Sequence, residues 1–168
     1  MKKGVVVIQC DITCRRCSGF ACSQTFHDRN DFFKGYPEDT FYLSMTCGGC
    51  CGKGLSAKLS HFLQMSRKKL SLLPKDVAVH LASCITTDNR HFERCPHFDY
   101  IVSIIQKNGY KHIVEGTYHS KGAEKKRQAG IYKTYLPIAL EDQSCSRKIP
   151  CLSKTWDFSM ISILLLGH

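Results

Sequence analysis

Polar and apolar positions along the chain switch between two kinds of segment, short unbroken apolar runs and longer stretches with helical spacing. Residues 4–10 read GVVVIQC, β-branched and short, as a strand buried on both faces of a parallel sheet does. Residues 14–33 are mixed and read as loop followed by helix. A second strand is predicted over 41–46 (FYLSMT). Over 53–69 the apolar positions Leu55, Leu59, Phe62 and Leu63, continued by Leu70, share one helical face, and Pro74 marks the end of that pattern. Residues 76–83 give a third strand, closed by Cys84. Pro96 suits the first turn of a helix carrying Phe98, Ile101, Val102, Ile104 and Ile105, which stops at Gly109. Residues 112–116 form a fourth short strand, and 120–132 a polar helix. This alternation predicts an α/β fold of small, doubly wound, flavodoxin-like or Rossmann-like type, with about four mainly parallel strands and helices on both faces.

The pattern breaks near residue 134. We therefore read one α/β domain over 1–133 and a tail over 134–168, which contains Pro137, Pro150, Cys145, Cys151 and the only tryptophan, Trp156. The 168-residue length suits one domain with an adequate core.

Open parallel sheets bind ligands beyond the carboxyl ends of their strands. The chemistry-bearing residues fall there. Cys10 ends the first strand, and Cys14, Cys17 and Cys22 follow it. Cys47, Cys50 and Cys51 follow the second strand and Cys84 the third. Cys95 and His97 flank Pro96, and His119 follows the fourth strand.

Eleven cysteines far exceed ordinary usage. The first ten residues hold only a five-residue apolar stretch before Gln9 and Asp11, unlike a secretory leader, so a reducing, cytoplasmic setting is expected. There, dense cysteines point to metal binding or thiol chemistry rather than a disulfide framework. No run approaches the roughly 20 apolar residues of a membrane span. The net charge of +10 invites a nucleic-acid partner, but the basic residues are scattered or mixed with acids. Arg67-Lys68-Lys69 and Lys125-Lys126-Arg127 read as solvated helix faces, so nucleic acid is not expected. The oligomeric state is open, a homodimer through the tail included.

Cys14-x-x-Cys17 and Cys47-x-x-Cys50 each have the spacing at which two thiolates reach one tetrahedral ion, although 29 residues separate the pairs. Cysteines from separate loops also hold iron–sulfur clusters. The run from Cys47 to Gly54 has a P-loop flavour, but Cys47 stands where that motif has its first glycine and Gly54 where it has a hydroxyl. A metal-free alternative is thiol–disulfide exchange by Cys47 and Cys50. A third is a binding or regulatory module in which the metal only stabilises the fold.

Cys10, the run Cys17 to Cys22 (CSGFAC), Cys47 to Lys53 (CGGCCGK), Leu81 to Ile85 (LASCI), Cys95-Pro96-His97 and Val114 to Thr117 (VEGT) occur in the order of a known family. Over about residues 4–133 the chain resembles the CGGC-domain family, small proteins read as metal-binding. Cys14 and Cys51 depart from its pattern; position 51 is often Pro. The resemblance implies a metal site drawn from Cys10, Cys17, Cys22, Cys47, Cys50, Cys84, Cys95 and His97, holding zinc, another transition metal or an iron–sulfur cluster.

Overall fold

The structure, a computed structural model, describes residues 3–86 and 94–131. The chain divides into two units, Met1–Pro137 and Ile138–His168. The expected tail, with Cys145, Cys151 and Trp156, lies outside the described residues. Strand β1 spans Gly4–Gln9, β2 Phe41–Thr46, β3 Val77–Leu81 and β4 His112–Glu115. Helix α1 spans Asp11–Cys14, α2 Phe20–His27, α3 Leu55–Leu70, α4 Phe98–Lys107 and α5 Lys121–Gln128. The four strands form one all-parallel sheet in the order β2-β1-β3-β4. This is the predicted flavodoxin-like α/β architecture.

Side-chain alternation along β1 and β3 divides the core in two. Val6, Ile8, Val77, Val79 and Leu81 meet Leu55, Leu59 and Phe62 of α3 and Phe98, Ile101 and Ile105 of α4. Val5, Val7, Ala78 and Ala82 face the other way, onto Cys22 and Phe26 of α2 and onto Phe33. Helices therefore cover both faces.

The helices differ from the sequence expectation at several points: α1 was not expected, α3 starts at Leu55 rather than 53, and α5 ends at Gln128 rather than 132. α3 stops because Ser71 turns left-handed (φ 54°), ahead of Pro74, which instead opens a short 3-10 turn, Pro74–Asp76. Pro96 lies outside α4, where His97 occupies the N-cap without a side-chain capping bond. Ser120 does cap α5, its hydroxyl accepting from Ala123 N–H at 3.2 Å.

The strand order puts the topological switch between β1 and β3, because the chain leaves β1 toward β2 and then returns to the other side. Beyond the strand ends the ladder continues for one more bond on each side. Cys47 N–H donates to the Gln9 carbonyl at 2.8 Å, and Ala82 N–H to the Ile8 carbonyl at 2.9 Å. Those bonds hold the three chain exits side by side at the carboxyl rim.

Candidate metal centre

Cys10, Cys47 and Cys84 follow the ends of β1, β2 and β3, so the register of the sheet decides where their sulfurs stand. Cys10 N–H donates to Cys84 Sγ at 3.1 Å, joining the two sides of the switch point. Around them is a cavity of about 200 Å³ lined by Cys10, Asp11, Cys47, Cys50, Cys51, Cys84, Cys95 and His97, with Ile12, Pro96 and Ile101 as apolar wall. Cys95 is held there by its N–H bond to the carbonyl of buried Ile85, at 3.0 Å.

The turn after β2 can be this tight only with glycine. Gly48 and Gly52 have φ of 83° and 69°. A Cβ on Gly48 would stand 2.7 Å from Gly54 Cα, and one on Gly52 2.7 Å from Ile101 Cγ1. Cys51 adopts φ 72° without being glycine, a conformation closed to proline, whose ring fixes φ near −65°. The turn also delays the helix. Cys50 precedes Leu55, the first residue of α3, by a further full turn of chain, so neither sulfur of the Cys47/Cys50 pair stands at the helix terminus itself.

Of the residues expected as ligands, Cys10, Cys47, Cys50, Cys84, Cys95 and His97 line the cavity, and Cys17 and Cys22 do not. Cys17 is exposed. Cys22 is buried on the α2 side of the sheet, its sulfur 3.4 Å from Thr117 Oγ1. Among the described residues no three His, Cys, Asp or Glu side chains are grouped closely enough to hold a metal ion as they stand. His119 is exposed, and its N–H donates to Asp31 Oδ2 at 2.7 Å.

Asp11 was not legible as a site residue. Its carboxylate accepts from Thr46 Oγ1 at 2.7 Å, and that hydroxyl accepts in turn from Lys58 Nζ at 2.5 Å. The only hint in the sequence is its place immediately after Cys10.

Burial pushes the Cys84 thiol up to about 12; the Cys10 N–H offsets part of this, and the sulfurs of Cys10, Cys22 and Cys14 add to it. Cys95 is raised by burial too, against a bond from the His97 backbone, and further by Cys10, Cys47 and Cys50. Cys14 is raised by burial and by Cys17, Cys10, Asp11 and Cys22. Of these, Cys84 and Cys95 line the cavity, and their thiolates are disfavoured by burial and by neighbouring sulfurs, a deficit that a bound cation would reverse while protons leave. The donor set suits a soft cation: sulfur predominates, with one imidazole and one carboxylate.

The motif order, the cysteine turn and the strand-end sulfurs agree with a comparison against known families, in which the model described as CGGC domain matches residues 4–118. The chain belongs to the CGGC-domain family. No curated protein and no solved structure matches it. The CGGC domain thus extends from the first residue of β1 to the segment just beyond β4. It contains all eight expected ligands and the whole cavity. None of the helices among the described residues is long and apolar enough to cross a membrane.

Proposed function

We propose that this CGGC domain binds a thiolate-loving metal centre, zinc or an iron–sulfur cluster, in the cavity at the β1/β3 switch point. One observation carries the reading: cysteines from four separate segments, after β1, after β2, after β3 and before α4, line a single small cavity. Cys47 and Cys50 are the first ligands in this reading, with Cys10, Cys84 and Cys95 completing a sulfur set and His97 as ligand or as a partner orienting one. Asp11 joins as an oxygen donor or as an acceptor near the bound ion. Binding would release protons from the buried thiols.

Elemental analysis and absorption spectroscopy on protein purified without oxygen test this. Iron with broad charge-transfer absorption identifies a cluster, for which electron transfer or redox sensing is the natural use. Zinc without colour identifies a structural or Lewis-acid site. A Cys47→Ser/Cys50→Ser double variant should lose the metal, and stoichiometric metal retained in that variant would sink the assignment.

Thiol–disulfide exchange without metal is favoured by one feature, an exposed Cys50 beside a buried Cys47, as in an attacking and a resolving thiol. In that case the purified protein carries no metal, and two thiols oxidise rapidly and react at the same rate with or without chelator.

A further inference from the structure

β2 is an edge strand, pairing among the described residues with β1 alone. Phe41 N–H donates to the Lys3 carbonyl at 3.0 Å and Cys47 N–H to the Gln9 carbonyl at 2.8 Å. In a parallel ladder this means that odd-numbered residues turn their backbone toward β1. The N–H and C=O groups of Tyr42, Ser44 and Thr46 therefore face away from β1, toward an edge that no other described strand covers. Lys58 Nζ covers the Thr46 carbonyl at 3.1 Å, and Ser44 is exposed.

Beside this edge runs a groove of about 510 Å³. Its floor is Phe41, Leu43 and Met45, alternate residues of β2, together with Phe62, Met65 and Leu70 of α3. Met65 and Leu70 are 39% and 43% exposed, so large apolar side chains are left open at its wall. Its charged lining is basic, with no acid among the lining residues: Lys58, His61 and Lys69. Neither β2 nor α3 contains a single Asp or Glu, although α3 ends in Arg67, Lys68 and Lys69. Exposed helices ordinarily balance such cations with acids one turn away. Lys58 and Lys69 are eleven residues apart on α3, about 16 Å along its axis, which sets cations toward both ends of the groove.

A strand edge unpaired among the described residues, an apolar floor with strand periodicity and a basic lining, with Lys69 toward one end and Lys58, linked to Asp11 through Thr46, toward the other, describe the complement of one ligand class. We propose that this edge docks an extended peptide segment with an apolar centre and acidic residues at both ends. Its backbone pairs with Tyr42 and Ser44, its central side chains enter the groove, and its carboxylates meet Lys58 and Lys69. A second copy of the chain fits less well, since it would set these cations against their own counterparts. A lipid surface would make no use of the strand edge.

The test uses the full chain and a short labelled peptide with a valine–threonine centre and glutamates at both ends, read by fluorescence anisotropy. A matching peptide with lysines at both ends is the control. Saturable binding of the acidic peptide alone is expected. Ser44→Pro removes an outward N–H without touching the β1 ladder and should weaken binding about tenfold. Lys69→Glu, at an exposed helical position, should weaken it several-fold and lower its salt dependence, with the circular dichroism unchanged. The proposal is overturned by absent saturation, by equal binding of the lysine peptide, or by an affinity indifferent to Lys69→Glu. It is equally overturned by a dimer in sedimentation, or by binding to phosphatidylserine vesicles, that Met65→Asp abolishes in place of peptide binding.

Discussion

The α3/α4 side of the sheet is filled by long aliphatic chains, among them Leu55, Leu59, Leu81, Ile101 and Ile105, all essentially without exposure. The α2 side is built from smaller sheet residues, Val5, Val7, Ala78 and Ala82, and from aromatic and polar groups. There His80, fully buried on β3, packs against Phe33 with ring centroids 4.6 Å apart. Its Nδ1 is 3.0 Å from the Gly116 carbonyl and its Nε2 2.9 Å from Tyr36 Oη. A carbonyl only accepts, so Nδ1 carries the proton and Nε2 accepts from the tyrosine. Arg29 ties the same loop down, donating to the Phe26 carbonyl and to those of Tyr36, Pro37 and Glu38. One face is held by apolar packing, which is indifferent to pH. The other is held by hydrogen bonds that depend on a protonation state, and the sulfur cavity touches both through Cys84, which packs against each side.

Cys22 does not line the cavity, and this gives the largest expected effect. On the proposed reading, Cys84→Ala should abolish metal retention, whereas Cys22→Ala should leave the metal content of the purified protein unchanged. If both variants lose metal alike, the cavity lining does not define the ligand set.

On the aliphatic side, Leu59→Ala should cost about 2–5 kcal/mol in urea unfolding, by lost transfer energy and a residual cavity. That loss should be the same at pH 7 and pH 5. A loss that grew on acidification would erase the contrast between the two faces.

On the polar side, burial drives the His80 pKa from 6.5 down to about 4, with the Gly116 carbonyl working against the shift and His112 adding to it. The unfolded chain therefore takes up this proton first. Stability is full above about pH 6.5, declines as the pH falls toward 4, and levels off below, a total of about 3 kcal/mol from this group. Urea unfolding across that window should show the wild type losing about 3 kcal/mol more than His80→Gln between pH 6.5 and 4; parallel profiles would refute it.

The smallest effect concerns the turn that carries the Cys47-Gly48-Gly49-Cys50 motif. Cys51→Gly relieves a left-handed backbone and should stabilise the protein by about 1 kcal/mol, measured without metal. A destabilised variant would mean that the Cys51 side chain contributes more packing than its backbone costs.

Much of the fold was legible because its patterns are local. β2 was read at its observed bounds, and the helical faces of α3 and α4 follow from apolar residues three and four apart. The end of α3 was read to within one residue, but its terminator is Ser71 rather than Pro74, because nothing in the sequence marks Ser71 as left-handed, while Pro74 is a conspicuous breaker. His80 was legible in principle, as the one polar residue within VAVHL, on the same side of β3 as Ala78 and Ala82. Its partners were not, since Tyr36 and Gly116 lie 44 and 36 residues away.

The sequence by itself determined the class of fold, the family and the delivery of cysteines to one rim of the sheet, because strand ends and turns are marked by neighbouring residues. Only the tertiary structure decided which sulfurs share a cavity. That depends on the parity of each residue along its strand, on the side from which each helix covers the sheet, and on strand register, and these are settled by contacts between segments far apart in the chain. Cys22 and Cys47 look alike in the sequence, and the four-stranded sheet puts them on opposite faces.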